Sequence, residues 1–198
     1  MVAIYARLIQ VFEENNGILT TRMAEKHGIS SFLLKNATDE KRIKAYSEGI
    51  YLLDDWYTDD LYLHQLKYPG IVYSHYTAIM LHWLSTATPF FYYFSLPKKH
   101  KELSFIEKYM KPHYVNTDEL SNEFVMDIDS WDSNVIRVTN LEKTVIDSFN
   151  NESLMTFILE EMVDDYIDRE DKNIPKLIEY AKQFGVMEVI EREILGKL

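Results

Sequence analysis

The sequence predicts an α+β fold in two parts, a small domain over residues 1–55 and a larger mixed domain over 56–198. Three observations carry this. Near the N-terminus, apolar residues recur at helical spacing in three short stretches, followed by two extended runs around a turn. Asp54, Asp55, Asp59 and Asp60 then crowd around Trp56-Tyr57-Thr58, a change of composition that places the boundary near 55–60. Beyond it, short extended runs are interleaved with helical patterns, and the chain closes on a helical tail. A length of 198 residues accommodates two domains. A hydrophobic share of 46% excludes disorder, because enough apolar surface is available to offset the entropy of ordering.

In the first part, Ile4, Leu8, Val11 and Phe12 share one face of a helix over 2–14, and Asn15-Asn16-Gly17 ends it with residues that tolerate positive φ. Ile18-Leu19-Thr20 is a short extended link. Thr21 is expected to cap a second helix reaching His27, with Met23 and Ala24 inward and Arg22 and Lys26 outward, and Gly28 supplies the turn. Ser30 is expected to cap a third helix, where Leu33, Leu34 and Ala37 face the core and Ser31, Phe32 and Lys35 face out. Lys41–Tyr46 and Ile50–Leu53 read as strands around Ser47-Glu48-Gly49.

Three helices followed by a basic hairpin is the order of a winged helix-turn-helix, whose third helix enters the major groove of double-stranded DNA. The expected DNA contacts are Arg22, Lys26, Ser31, Lys35, Lys41, Arg42 and Lys44. Ser31 and Lys35 suit hydrogen bonds to bases or phosphates, and Phe32 suits a thymine methyl. Lys41, Arg42 and Lys44 suit phosphate or a minor-groove edge. Two alternatives stay open: such modules also mediate protein contacts, and a basic trio also serves as plain solvated surface.

Net charge constrains this reading. The chain carries −11, yet residues 1–50 hold seven basic and six acidic side chains, so the remainder carries −12. The field of the whole molecule opposes approach to phosphate, and binding depends on a local patch. The absence of cysteine excludes disulfides, thiolate zinc sites and a thiol nucleophile. With no signal-peptide pattern at residues 1–10 and no apolar run near the roughly 18 residues of a membrane span, the expectation is a cytoplasmic protein without membrane association.

In the second part, Leu61–Lys67 reads as a short helix ended by Tyr68-Pro69-Gly70, Ile71–Ser74 as a strand and Thr77–Leu84 as a helix. Phe90–Ser95, between Pro89 and Pro97, has the aromatic density of a buried strand. Phe124–Ile128 and Val135–Val138 are further strands. Thr139-Asn140-Leu141-Glu142 fits a capping box for a helix reaching Phe149. Leu154, Phe157, Ile158 and Met162 mark another helix, Ile174–Phe184 one that stops at Gly185, and Val186–Leu195 the last.

Candidate chemistry is sparse. Asp127 and Asp129 alternate onto one strand face, as divalent-cation binding in nucleotidyl transfer requires. The upstream Gly-Ser motif and any Gly-rich phosphate loop are missing, so no catalytic activity is expected and a nucleotidyltransferase is the enzymatic rival. His75 and His82 lie seven residues apart without a third ligand at suitable spacing, so neither metal nor cofactor is expected, and His82 reads as a part-buried, hydrogen-bonded residue. Asp164, Asp165, Asp168, Glu170 and Asp171 read as a solvated helix end rather than a DNA-like surface.

Met23–Ile29 followed by Glu48-Gly49-Ile50-Tyr51, then Tyr76–Leu84, then Ile136–Asp147, in this order over most of the chain, resembles the AbiEi antitoxin family. The chain departs from that pattern at Trp83, where Gly is usual, at Thr77, where Ser is common, and at Lys143, where Arg is frequent. The resemblance implies the antitoxin of a bacterial type IV toxin-antitoxin pair acting in abortive infection against phage. Its N-terminal winged helix would repress its own operon at inverted repeats. Its C-terminal domain would counteract a nucleotidyltransferase-like toxin without a stable complex. Arg137 and Asp147, from the last motif, are the candidates for antitoxin function. The alternative is a ligand-responsive transcriptional regulator without antitoxin activity. One winged helix covers one half-site, and with no heptad seam and an acidic surplus the expectation is a monomer that assembles cooperatively on DNA.

Overall fold

The computed structural model describes residues 2–54, 58–100, 108–150 and 154–198. Asp55, Trp56 and Tyr57, and with them the expected division at 55/56, lie outside the described residues. The fold is α+β, and contacts divide it into two units: Met1–Pro69 with Asp129–Ile136, and Gly70–Ile128 with Arg137–Leu198.

The first unit begins with α1 (Val2–Glu13), β1 (Ile18–Thr20), α2 (Thr21–Lys26) and α3 (Ser31–Asp39). It continues through β2 (Ile43–Ser47), β3 (Ile50–Leu53) and α4 (Asp60–Lys67). Asn16 (φ 51°) and Gly17 (φ 74°) reverse the chain after α1, as their tolerance of the left-handed region allows. The cap of α2 is Thr20, one residue before the expected Thr21: its hydroxyl accepts from Met23 N at 3.1 Å. Ser30 caps α3 as expected, accepting from Leu33 N at 3.2 Å. The strands form an antiparallel sheet in the order β1-β3-β2. Strand alternation divides their side chains between two cores. Leu19 and Ile43 join Leu8, Phe12, Leu34 and Ala37 under α1–α3, with Tyr51 and Leu53 packed against them. Ile18 and Ile50 meet Leu63 of α4 on the other face. The first expected strand begins at Ile43 rather than Lys41: Lys41 sits at φ 57° in the turn that leaves α3.

In the second unit, β4 (Val72–Tyr73) precedes α5 (His75–Leu81), which starts two residues earlier and ends three earlier than expected. Next come β5 (Tyr92–Pro97), β6 (Met110–Val115), β7 (Val125–Asp129) and β8 (Val135–Thr139), of which Asp129, Val135 and Ile136 group with the first unit. Then follow α6 (Leu141–Phe149), α7 (Thr156–Asp168), α8 (Ile174–Gln183) and α9 (Met187–Glu193). The sheet runs β6-β5-β4-β8-β7, with β4 antiparallel to β5 and parallel to β8, and β5 parallel to β6. The aromatic strand is displaced relative to the expectation. It begins at Tyr92, its buried part is Phe94–Pro97, and Phe90 outside it is 92% exposed. The cap of α6 is Asn140, accepting from Lys143 N at 3.0 Å, and not Thr139, whose hydroxyl pairs with that of Thr144 at 2.8 Å. The helices pack Val145, Ile146, Met162, Tyr166, Leu177 and Ile190 into one core.

Candidate functional site

In the first unit, α3 divides cleanly. Leu33, Leu34 and Ala37 are buried, whereas Ser31, Phe32 and Lys35 are exposed, Phe32 by 71%. Ser31, Phe32 and Lys35 line an open groove with Thr38 of the same helix and with Ala45 and Tyr51 of the β2–β3 hairpin. Helix face and hairpin therefore form one concave surface. Gly28 (φ 72°) makes the turn that sets α3 after α2.

The expected basic contacts fall into two groups. Arg22, Lys26, Lys35 and Lys41 are exposed, and no carboxylate is paired with them among the described residues. Arg42 is engaged inside the unit: its Nε donates to Glu40 at 2.8 Å, and its guanidinium lies 4.4 Å from the centre of the Tyr5 ring. Lys44 is ion-paired with Asp54. The hairpin trio is thus largely compensated, because the acidic partners Glu40 and Asp54 flank it in sequence and reach back to it. Exposed pairs of this kind contribute little to stability.

In the second unit, the chain after α5 meets the start of α6. His82, Trp83, Asn140 and Glu142 line a pocket of about 430 Å³ with Arg169 and Lys176. His82 Nε2–H donates to the Thr139 carbonyl at 2.7 Å, in agreement with the expected hydrogen-bonded histidine. Trp83 follows the C-cap of α5 at φ 58°, its N–H bonded to Met80 O at 3.0 Å, while Leu84 N bonds to Ile79 O at 2.9 Å. This left-handed helix end is a conformation that favours Gly. Trp83 adopts it with its ring 72% exposed. Glu142 is buried and acts as an anchor: it accepts from Asn173 N at 3.0 Å and lies 3.6 Å from Lys176.

Arg137 is half-buried on β8. Asp147 is buried and ion-paired with Lys143, whose side chain is only 3% exposed and lies 3.7 Å from Glu119 and 4.2 Å from the Phe184 ring centre. Burial raises the Asp147 carboxyl pKa, and Lys143 opposes the rise. Asp127 and Asp129 are exposed along β7. In the expected acidic run all five carboxylates are exposed, and Asp171 is held by Arg169 at 2.7 Å. Among the described residues no three His, Cys, Asp or Glu side chains form a group able to hold a metal, and no helix is long and apolar enough to cross a membrane.

Sequence reasoning missed one cluster. His75, at φ 52°, stacks on His113 with ring centres 3.5 Å apart, and its Nδ1 shares a 2.8 Å hydrogen bond with Ser74 Oγ, which also accepts from Ser95 Oγ at 2.9 Å. Burial holds His75 well below the usual 6.5, with His113 and Lys143 adding to the effect; burial also lowers His82 and His113. In the fold these imidazoles stay neutral to a lower pH than in an unfolded chain, which takes up protons near 6.5. The stability they contribute is complete above about pH 6.5 and is lost as pH falls through that value toward the lowered native pKa. Each histidine that stays neutral contributes a slope of about 1.4 kcal/mol per pH unit in that window. Urea unfolding at pH 7.5 and 5.5 checks this. His75→Asn, which tolerates the left-handed backbone, is expected to flatten the dependence, and an unchanged slope would exclude His75 as its source.

Compared with known proteins, the chain matches no family model and no curated protein.

Proposed function

We propose that the protein is the autorepressing antitoxin of a type IV toxin-antitoxin pair, with its first unit a winged helix-turn-helix. One observation carries the DNA-binding part. The outward face of α3 is exposed and polar apart from Phe32, its opposite face is fully packed, and the exposed side shares a groove with the β2–β3 hairpin. That surface offers a helix for the major groove and a hairpin beside it for the backbone. Ser31 and Lys35 read bases, Phe32 touches a thymine methyl, and Arg22, Lys26 and Lys41 meet phosphates. Arg42 and Lys44 join them by exchanging Glu40 and Asp54 for phosphate. Two chains assemble cooperatively on an inverted repeat in their own promoter.

The antitoxin half is supported by the sequence resemblance across Tyr76–Leu84 and Ile136–Asp147. In this reading the second unit counteracts a nucleotidyltransferase-like toxin encoded beside it, and the protein performs no catalysis itself. Co-expression of the full chain with the neighbouring gene's product is expected to restore growth. A Ser31→Ala/Lys35→Ala variant is expected to restore growth equally well while derepressing a reporter under the native promoter. No rescue by the folded full chain would remove the antitoxin half, and an unaffected reporter would remove the assigned reading helix. A second reading, a ligand-responsive regulator without antitoxin activity, is favoured by an aromatic-lined cavity in the second unit.

A further inference from the structure

We infer that the cavity bounded by Tyr76 of α5, the 87–93 segment and the start of α7 binds an uncharged planar aromatic molecule of two or three fused or linked rings. The cavity measures about 490 Å³, within the span of small-molecule sites. Its wall is dominated by the rings of Tyr76, Phe91, Tyr93 and Phe157, with Ala87 and Ile158 between them. The cleft is open to solvent on one side and apolar on its wall, so a ring system seated in it exchanges water contacts for dispersion contacts. At its mouth Phe90 is 92% and Phe157 50% exposed, an arrangement of large apolar side chains that solvent opposes and a bound ring system covers.

The surroundings select against charge. Glu161 lies on α7 and receives hydrogen bonds from Ser85 Oγ and from Thr86 N at 3.2 Å. The Tyr76 hydroxyl feels it: burial chiefly, then Tyr93 and the Glu161 charge, raise its pKa. An anion entering beside Tyr76 meets this carboxylate. A cation meets Lys111, whose Nζ sits 4.4 Å from the centre of the Phe91 ring, and an anion drawn to Lys111 must still leave water for an apolar wall, so neither sign of charge fits as an uncharged ring system does. Tyr76, Thr88 and Tyr93 are the lining residues that carry side-chain hydroxyls, the few polar groups by which such a site orients a ligand. The assignment rests on the ligand-responsive reading only for its regulatory meaning; binding itself follows from the cavity.

The test is fluorescence titration of the full chain, without DNA, with N-phenyl-1-naphthylamine. Saturable binding of one molecule per chain is expected, weakened about tenfold or more by Ala87→Trp, which fills the cavity. The same ring system bearing a sulfonate, 8-anilino-1-naphthalenesulfonate, is expected to bind about tenfold more weakly than the neutral probe. Absence of saturable binding, or binding untouched by Ala87→Trp, overturns the site, and equal affinity for both probes overturns its charge selection. Should Ala87→Trp fail to fold, the half-exposed Phe157→Ala takes its place: several-fold weaker binding is expected, and unchanged affinity overturns the site. Because DNA is absent, failure here leaves the DNA-binding reading untouched.

Discussion

Replacing Asp147 by Ala is expected to remove about 3 to 5 kcal/mol of unfolding free energy, the largest single effect foreseen in the second unit. Lys143 and Asp147 lie one helical turn apart on α6 and are both buried, so each charge has left water largely in exchange for the other. Removing the carboxylate leaves an ammonium facing the Phe184 ring, with Glu119 at 3.7 Å as its remaining counter-charge. Removing both charges should be far less harmful. Lys143→Met/Asp147→Leu keeps the unbranched stem of one side chain and the branching of the other and is expected to recover most of the loss, since well-packed apolar replacements of buried ion pairs are often close to neutral. Urea unfolding of the single and double variants checks this, and a loss below about 1 kcal/mol in Asp147→Ala would contradict it. The double variant also bears on antitoxin function. If it folds and still restores growth, Asp147 serves the helix rather than a partner.

Asp59→Ala is expected to cost about 2 to 4 kcal/mol, as a lost helix cap adds to two buried donors left without their acceptor. Asp59 accepts from Tyr62 N at 3.0 Å at the start of α4, from Asn134 Nδ2 at 2.8 Å and from Ser130 Oγ. Asn134 is in turn held by Asn16, whose Nδ2 donates to Asn134 Oδ1 at 3.1 Å. One carboxylate thus joins α4, the 129–136 segment and, through Asn134, the turn after α1, all within the first unit. Asp59→Asn keeps an acceptor for Tyr62 N and is expected to lose less. Equal stability of Asp59→Ala and the parent protein would contradict the assignment.

These two sites mark where the sequence stops being legible. The elements of the first unit follow from local pattern, because caps such as Ser30 and apolar spacing such as Leu33, Leu34 and Ala37 act within a few residues. Asp59 reads in sequence only as one of the acidic residues that mark the boundary, and its burial depends on partners more than 70 positions away. The spacing of Lys143 and Asp147 is visible in the sequence, but their burial is not, since it is imposed by neighbours such as Phe184. Strand β6 escaped altogether. Lys111, Pro112 and His113 interrupt any apolar alternation, and the strand owes its state to parallel pairing with β5. The stacking of His75 on His113 is equally non-local. At the candidate DNA surface, the outward set on α3 was readable from helical periodicity, whereas the compensation of Arg42 by Glu40 and of Lys44 by Asp54 needed the backbone path of the hairpin.

The central claim is that the α3 and hairpin surface of the first unit binds DNA. The most direct measurement is the affinity of the full chain for the DNA upstream of its own gene, followed by fluorescence anisotropy over a series of salt concentrations, for the parent protein and for Lys35→Ala and Lys41→Ala. Binding to this DNA is expected to be tighter than to a scrambled duplex. Each variant is expected to flatten the salt dependence by about one unit of slope where its lysine meets phosphate, with Lys35→Ala also relaxing sequence preference. Equal affinity for the scrambled duplex, or salt dependence unchanged in both variants, would contradict the claim.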